Sequence, residues 1–359
     1  MVTKPRVLLN AEPFGFGPAA VIATLFPHLR ERVGCLGYVG GDHTLDLQKS
    51  LPYDAIHDSS GMDETALVAL FARLSVQYDW FFTAMDFHHA ELAMQAGMKV
   101  VIYDSLSWFW RKIPKVVHKC QLYLTGDFFG VRERVSGWEN AVIVPSMVST
   151  PRPIRGNEHV LLNLGGLQNP QWEFADGVKY ARSIIAAVEE VLPDENLVVA
   201  ASRRISEALG HPRVRNYPRS EMHALLENAS MSLMTPGLGN ILDAAKFGLR
   251  TVWLPPANDS QGQQLEWLRQ SGCCDAHVDW SRLKCPVDYH QKQAEVLRHI
   301  SEVTQEMPAL HSCLVKCLSS AILDLEKPGS RRTPLLLDLF GTGGAEKATD
   351  YFMKKVGEG

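Results

Sequence analysis

The chain predicts an α/β protein built as two doubly wound, Rossmann-like domains that face each other across a cleft. Three observations carry this expectation. Short apolar runs alternate with helix-like stretches along the first half, which is the signature of a parallel sheet covered on both faces. The composition then breaks at Ser149-Thr150-Pro151-Arg152-Pro153-Ile154-Arg155-Gly156-Asn157, a stretch rich in Pro, Gly and polar groups. After the break the alternation restarts, and 359 residues are enough for two cores.

In chain order, the expected strands of the first half are 6–9, 35–39, 80–83, 100–103, 122–125 and 141–144, with helical patterns at 19–29, 63–74 and 90–96. The second half reads as strand 159–164, helix 177–191, strand 197–200, helix 221–228, strand 231–234, helix 240–247 and strand 251–254. An amphipathic segment, 343–356, reads as a closing helix. The domains expected are 1–149, a linker 150–158, a second domain 159–330, and a tail 331–359 that packs back on the first.

The totals exclude several classes. Hydrophobic residues at 46% and charged residues at 21% argue against disorder. A formal charge of −4 supplies no basic field for nucleic acid. No apolar run approaches the roughly 18 residues of a membrane span, and MVTKPRVLLN enters a strand with no signal-peptide pattern. Seven cysteines form no CxxC pair and leave one over, which suits a reducing, cytoplasmic location. Cys313 and Cys317, four apart on one helical face, read as buried small hydrophobes rather than a metal pair.

The densest polar constellation is MTPGLGNILDAAKFGLRTVWLPPANDSQGQQLEWL, starting at Met234. A strand feeds the loop Thr235-Pro236-Gly237-Leu238-Gly239, and Asn240 is placed to cap the following helix. Backbone N–H groups at such a loop favour phosphate oxygens. Asp243 follows on the first turn, where a carboxylate reaches a ribose hydroxyl. The next strand ends at Pro255-Pro256, and Asn258, Asp259, Ser260, Gln261, Gly262, Gln263 and Gln264 open another helix whose amides suit sugar hydroxyls.

This run resembles the donor-binding signature of GT-B glycosyltransferases. It is most similar to the N-acetylglucosaminyltransferase family that completes the lipid-linked peptidoglycan precursor, and to related sugar-nucleotide hydrolases. That family carries Gly-Ala-x-Thr-x-x-Glu where this chain has Gly237-Leu238-Gly239-Asn240-Ile241-Leu242-Asp243, followed at the same distance by Gly248-Leu249. The family's Glu is Asp243 here, its Thr is Asn240, and its usual Pro after Gly-Leu is Arg250. The resemblance implies a nucleoside-diphosphate sugar (UDP or TDP type) held by Gly165, Gly166, Arg203, Tyr217, Met222, Pro236, Gly237, Leu238, Gly239, Asn240, Asp243, Asp259, Gln261 and Gln263. It spans the second half strongly and the first half by pattern.

A transferase needs a base facing the acceptor. Three strand ends of the first domain supply candidates. Asp86 or His88, with His89 beside them, come first, and Asp104 and Glu12 follow. The family's acceptor loop carries a His soon after its glycines, and this chain has none there. Phe14, Gly15, Phe16, Gly17 and Trp108 read as the acceptor wall, with Phe109 and Trp110 next to it. No Asp-x-Asp stands at a strand end, so no metal is called for. The only co-substrate expected is the nucleotide sugar, and the transfer is expected to invert configuration onto a small-molecule or natural-product acceptor. Two other readings stay open here. One is a hydrolase or epimerase acting on the sugar nucleotide; the other is an NAD-linked oxidoreductase using Gly15-x-Gly17-x-x-Ala20 with Asp42 on the ribose. A non-catalytic binding protein of this fold is a third.

Overall fold

The computed structural model describes residues 4–13, 16–42, 44–149, 151, 156–167, 169 and 171–358. Phe14 and Gly15 of the expected acceptor wall lie outside the described residues, as does most of 150–155. The chain divides into two compact units, Met1–Ser149 with Phe340–Gly359, and Thr150–Leu339. The segment after 330 is therefore shared: residues up to Leu339 go with the second unit and the closing helix with the first.

The first unit is built on β1 (Arg6–Ala11), β2 (Cys35–Gly40), β3 (Ala55–Asp58), β4 (Trp80–Ala84), β5 (Lys99–Asp104), β6 (Leu122–Gly126) and β7 (Ala141–Val144). All pair in parallel in the order β3-β2-β1-β4-β5-β6-β7. Side chains alternate across the sheet, so Val7 and Leu9 join one buried cluster while Leu8 joins the other. The first cluster is covered by helices Gly17–Arg30 and Gly344–Gly357, the second by Glu64–Leu74 and Phe87–Gln95. Phe352 of the closing helix sits edge-on to Trp80 at 5.4 Å and to Phe82 at 5.6 Å. Truncating so deeply buried a ring costs about 3–5 kcal/mol. The sequence reading had no β3, whose burial alternates between half-buried and exposed at the sheet edge.

The second unit repeats the plan with β8 (His159–Asn163), β9 (Leu197–Ala200), β10 (Val214–Arg215), β11 (Ala229–Met234), β12 (Thr251–Trp253) and β13 (Ala276–His277). The order is β10-β9-β8-β11-β12-β13, again parallel. Helices Phe174–Val191, Gln293–Glu306 and His311–Glu326 bury their apolar stripes in one cluster with Val160, Leu162 and Trp280. The last two meet at 103°, and no single helix among the described residues is long and apolar enough to cross a membrane. Cys313 and Cys317 are half-buried, and both thiols donate toward the Arg282 carbonyl.

In each unit the strand order reverses direction once, between β1 and β4 and between β8 and β11. Ligands of open parallel sheets bind in the crevice beyond the carboxyl ends of the strands at such a reversal.

Candidate functional site

The loops that flank the crevice of the second unit are tied together by a hydrogen-bonded staple. Asn163, the last residue of β8, donates from Nδ2 to Asn240 Oδ1 at 3.0 Å and accepts the Gly165 N–H at 2.8 Å. Asn240 Nδ2 donates to the Thr235 carbonyl at 2.9 Å, and the Thr235 hydroxyl donates to the Gly165 carbonyl at 2.9 Å. Gln261 completes the loop: Nε2 donates to the Gly166 carbonyl at 2.9 Å while Oε1 accepts the Ala257 N–H at 2.9 Å. Gly166 stands at φ +80°, a conformation that favours glycine.

One expectation is corrected. Helix Leu238–Phe247 begins earlier than expected, and Gly237 is its cap, not Asn240. Glycine brings no side-chain oxygen to that cap, so Asn240, inside the first turn, reaches back to the loop. The N–H groups of that turn have no carbonyl within the helix to satisfy them, as at any helix start. Gly239 is exposed, and a Cβ placed there would meet nothing within 4 Å. A helix N-terminus opening on uncluttered space at a switch point is suited to phosphate oxygens.

Asp243, expected on the first turn, lies half-buried in the second turn, because the helix starts at Leu238. Burial raises its carboxyl above the usual range, and Arg219 and Lys246 oppose the rise. Asp259 and Gln261 are buried at the start of helix Asp259–Gln270, which Asn258 caps by accepting the Gln261 N–H at 3.0 Å. Gln263 donates to the Tyr289 carbonyl at 2.9 Å, so its amide is held by the protein. Pro236 is buried in the loop, Tyr217 and Met222 are half-buried, and Arg203 is exposed at the start of helix Arg203–Leu209. The neighbouring Arg204 stacks over the Phe174 ring at 4.7 Å.

The first unit gathers ionisable groups at its own reversal. Ala11 and Ala84 pair across β1 and β4, and the Glu12 N–H donates to the Ala84 carbonyl at 3.0 Å. Met85 follows β4 at φ +65°, an uncommon left-handed turn for a non-glycine residue, and delivers Asp86 to the start of helix Phe87–Gln95. Asp86, 2% exposed, caps that helix by accepting the His89 N–H at 2.9 Å, and its other oxygen pairs with His89 Nδ1. His89 stacks on Phe71 with ring centroids 5.3 Å apart, and its Nε2 has no hydrogen-bond partner among the described residues. Burial raises the Glu12 carboxyl to about 7, the Asp86 charge adding and His89 opposing.

Behind these groups the Thr83 hydroxyl donates to Asn10 Oδ1 at 2.6 Å, and Asn10 Nδ2 donates to the Val39 carbonyl at 3.0 Å. His88 points elsewhere: it is exposed and pairs with Glu64 at 3.0 Å. The spacing Asp86-x-x-His89 is that of a cap and the residue three on, a signal available in the sequence. Asp104 is fully buried and accepts from Leu106 N–H at 2.7 Å, Trp110 Nε1 at 2.8 Å and Tyr123 hydroxyl at 2.7 Å. Both its oxygens are thus committed to the fold, and burial raises it to about 6.

Trp108 is half-buried, its ring 5.7 Å from Phe128 and 5.6 Å from Phe109. Phe109 contacts Trp110 at 5.4 Å, and Trp110 contacts Phe87, next to Asp86, at 5.9 Å. A run of aromatic contacts therefore leads from the strand end of β5 to Phe87, next to Asp86. Phe16 precedes helix Gly17–Arg30, and Gly17 begins it with open space where a Cβ would stand. Asp42, the ribose candidate of the oxidoreductase reading, is exposed after β2 and its N–H donates to Ser60 Oγ at 2.9 Å. Among the described residues no group of three or more His, Cys, Asp or Glu is arranged to hold a metal ion.

No protein-family model matches the chain, and no curated protein matches it in sequence. Solved structures do match in fold. Os79 from O. sativa, solved with U2F and a trichothecene, superposes with a TM-score of 0.62 at 11% identity, over 98% of this chain and 100% of Os79. CalG4, the calicheamicin glycosyltransferase, gives 0.53 at 15% identity over 99% of each chain. MurG of Acinetobacter baumannii gives 0.53 at 11% identity, over 98% of this chain and 99% of MurG. The chain has the GT-B fold of two Rossmann-like domains.

Proposed function

We propose that this protein is a glycosyltransferase that moves a sugar from a nucleoside-diphosphate donor to a hydroxyl of a small-molecule acceptor. The observation that carries the reading is the second unit's crevice, where an open helix start is held by Asn163, Thr235, Asn240 and Gln261 at a strand-order reversal. In this reading the diphosphate lies on the first turn of helix Leu238–Phe247, and Asp243 accepts a ribose hydroxyl. The positive end of that helix stabilises the charge that develops on the departing diphosphate. No metal ion is assigned a role.

The first unit supplies the acceptor and the base. Glu12 is the base: a carboxylate poised near neutral pH takes the acceptor proton as the oxygen attacks the anomeric carbon. The proton ends on Glu12, the new glycosidic bond forms, and the nucleoside diphosphate leaves from the opposite face with inversion. Asp86 and His89 hold the charge behind Glu12, and the Trp108–Phe109–Trp110 surface packs on an apolar or flat acceptor.

The test is thermal-shift titration with UDP, TDP, GDP and NAD, repeated on Asp243→Ala with whichever ligand stabilises. Stabilisation by one diphosphate that weakens about tenfold in the variant supports the reading. Stabilisation by NAD and by none of the diphosphates overturns it.

A further inference from the structure

The second unit has a cavity that the proposed reaction does not use. It is an open depression of about 680 Å³, within the size range of small-molecule sites. Its walls include Ser230, near the amino-terminal end of β11, and Arg250, just before β12. The donor-side residues Asn163 and Thr235 follow the opposite, carboxyl ends of the same sheet. Strand residues rise about 3.3 Å each, so roughly 15 Å of β11 separates the two ends.

Among the described residues this cavity is lined by the cations Lys246, Arg250 and Arg331 and by the carboxylate Asp338. Lys246 is 8% exposed, and its ammonium stands 5.1 Å over the Phe247 ring and also acts on the Asp243 carboxyl. Arg250 is half-buried and fixed by a 3.3 Å hydrogen bond to the Ser230 carbonyl. Among the described residues neither Arg250 nor Arg331 forms a salt bridge. The wall that carries Arg331 is anchored: Asp275 accepts the N–H groups of Arg332 at 2.6 Å and Thr333 at 2.8 Å, and that of Thr251 at 3.0 Å. The Thr333 hydroxyl adds a bond to the Cys273 carbonyl at 3.2 Å. Phe247 and Leu337 give the cavity an apolar side.

We infer that this cavity is a second ligand site, distinct from the nucleotide site, that takes a small polyanion of the phosphate class. Guanidinium groups match phosphate oxygens two at a time, and a buried ammonium adds charge that solvent does not screen. Helix Leu238–Phe247 joins the two places, since its first turn forms the donor loop and Lys246 and Phe247 line the cavity. The inference does not depend on the transferase reading, because its test uses a different ligand and alters Arg250 and Arg331, to which that reading gives no role.

The experiment is isothermal titration of the full-length chain with inorganic pyrophosphate, alone and with UDP saturating. The expected result is one-to-one binding with UDP saturating, when the donor loop is already occupied. Arg331→Gln, an exposed change that leaves folding intact, weakens it about tenfold, and Arg250→Gln does the same with UDP affinity unchanged. Loss of all pyrophosphate binding when UDP is saturating overturns the inference, as does unaltered binding in Arg331→Gln under that condition. If UDP fails to bind at all, the transferase reading falls, and the Arg331→Gln comparison still decides this one.

Discussion

Asn163, at the end of β8, and Asn240, in the first turn of the helix that follows β11, are joined by a 3.0 Å hydrogen bond between side chains 77 residues apart. Each amide is also tied to the loop backbone, Asn163 through Gly165 N–H and Asn240 through the Thr235 carbonyl. The pair therefore fixes where the start of helix Leu238–Phe247 opens.

Replacing Asn240 by Ala removes two donated bonds and one accepted bond and leaves the Asn163 amide without that partner. Buried polar groups left unpaired cost about 1–3 kcal/mol each, so Asn240→Ala is expected to lower unfolding free energy by about 2 kcal/mol in urea titration. UDP affinity should fall at the same time. A variant of unchanged stability would show that the staple is not what holds the loop.

Gly262 lies against the Tyr289 ring, where a Cβ would stand 2.0 Å from the nearest ring carbon. Gly262→Ala is therefore expected to overpack the start of helix Asp259–Gln270 and to cost about 1–3 kcal/mol, read as a lower urea midpoint at constant slope. Unchanged stability would mean that the Tyr289 ring shifts freely.

Much of this could be read from residues. VLLN, WFFT and VVIY announce buried strands because both faces of the sheet are covered, and TPGLG announces the strand-to-helix loop. Other features depend on phase and context. Whether Asn240 caps its helix or reaches back from inside it turns on where the helix starts, and a one-turn ambiguity is inherent in a Gly-rich run. The choice between His88 and His89 is likewise set by helix phase: only the residue three after the Asp86 cap turns back toward it. The two-residue strands β10 and β13 carry no period at all, and only their neighbours define them. Helices Gln293–Glu306 and His311–Glu326 were not among the expected elements, although their apolar stripes complete the second core.

Tyr123 and Trp110 support the buried Asp104 carboxylate with bonds of 2.7 and 2.8 Å to the same oxygen. Tyr123→Phe deletes one donor to a charged acceptor, a loss of about 1.5–3 kcal/mol. Asp104 is raised to about 6, so its need for donors is greatest above that pH. The destabilisation should therefore be larger at pH 8 than at pH 5 when both are measured by denaturant unfolding. Equal losses would show that Asp104 does not change its ionisation between these two pH values.

Glu12 gives the sharpest pH dependence. Its carboxyl is raised to about 7 by burial, with the Asp86 charge adding to the rise, against an ordinary value of about 4.5. Between those values the folded chain holds a proton that the unfolded chain has lost, so stability falls as pH climbs through this window. Glu12→Gln removes the titrating group, and its melting temperature should gain on the wild type from pH 5 to pH 8. Other raised carboxyls, Asp104 among them, are common to both proteins and cancel in that difference. In the proposed reaction the same ionisation switches the base on, so turnover should rise through about pH 7 in the wild type and stay low and flat in Glu12→Gln. Asp86→Asn should move the rise to lower pH, because the neighbouring negative charge that favours the protonated acid is gone. If the rise stays in place in Asp86→Asn, another group sets it and Glu12 is not the base.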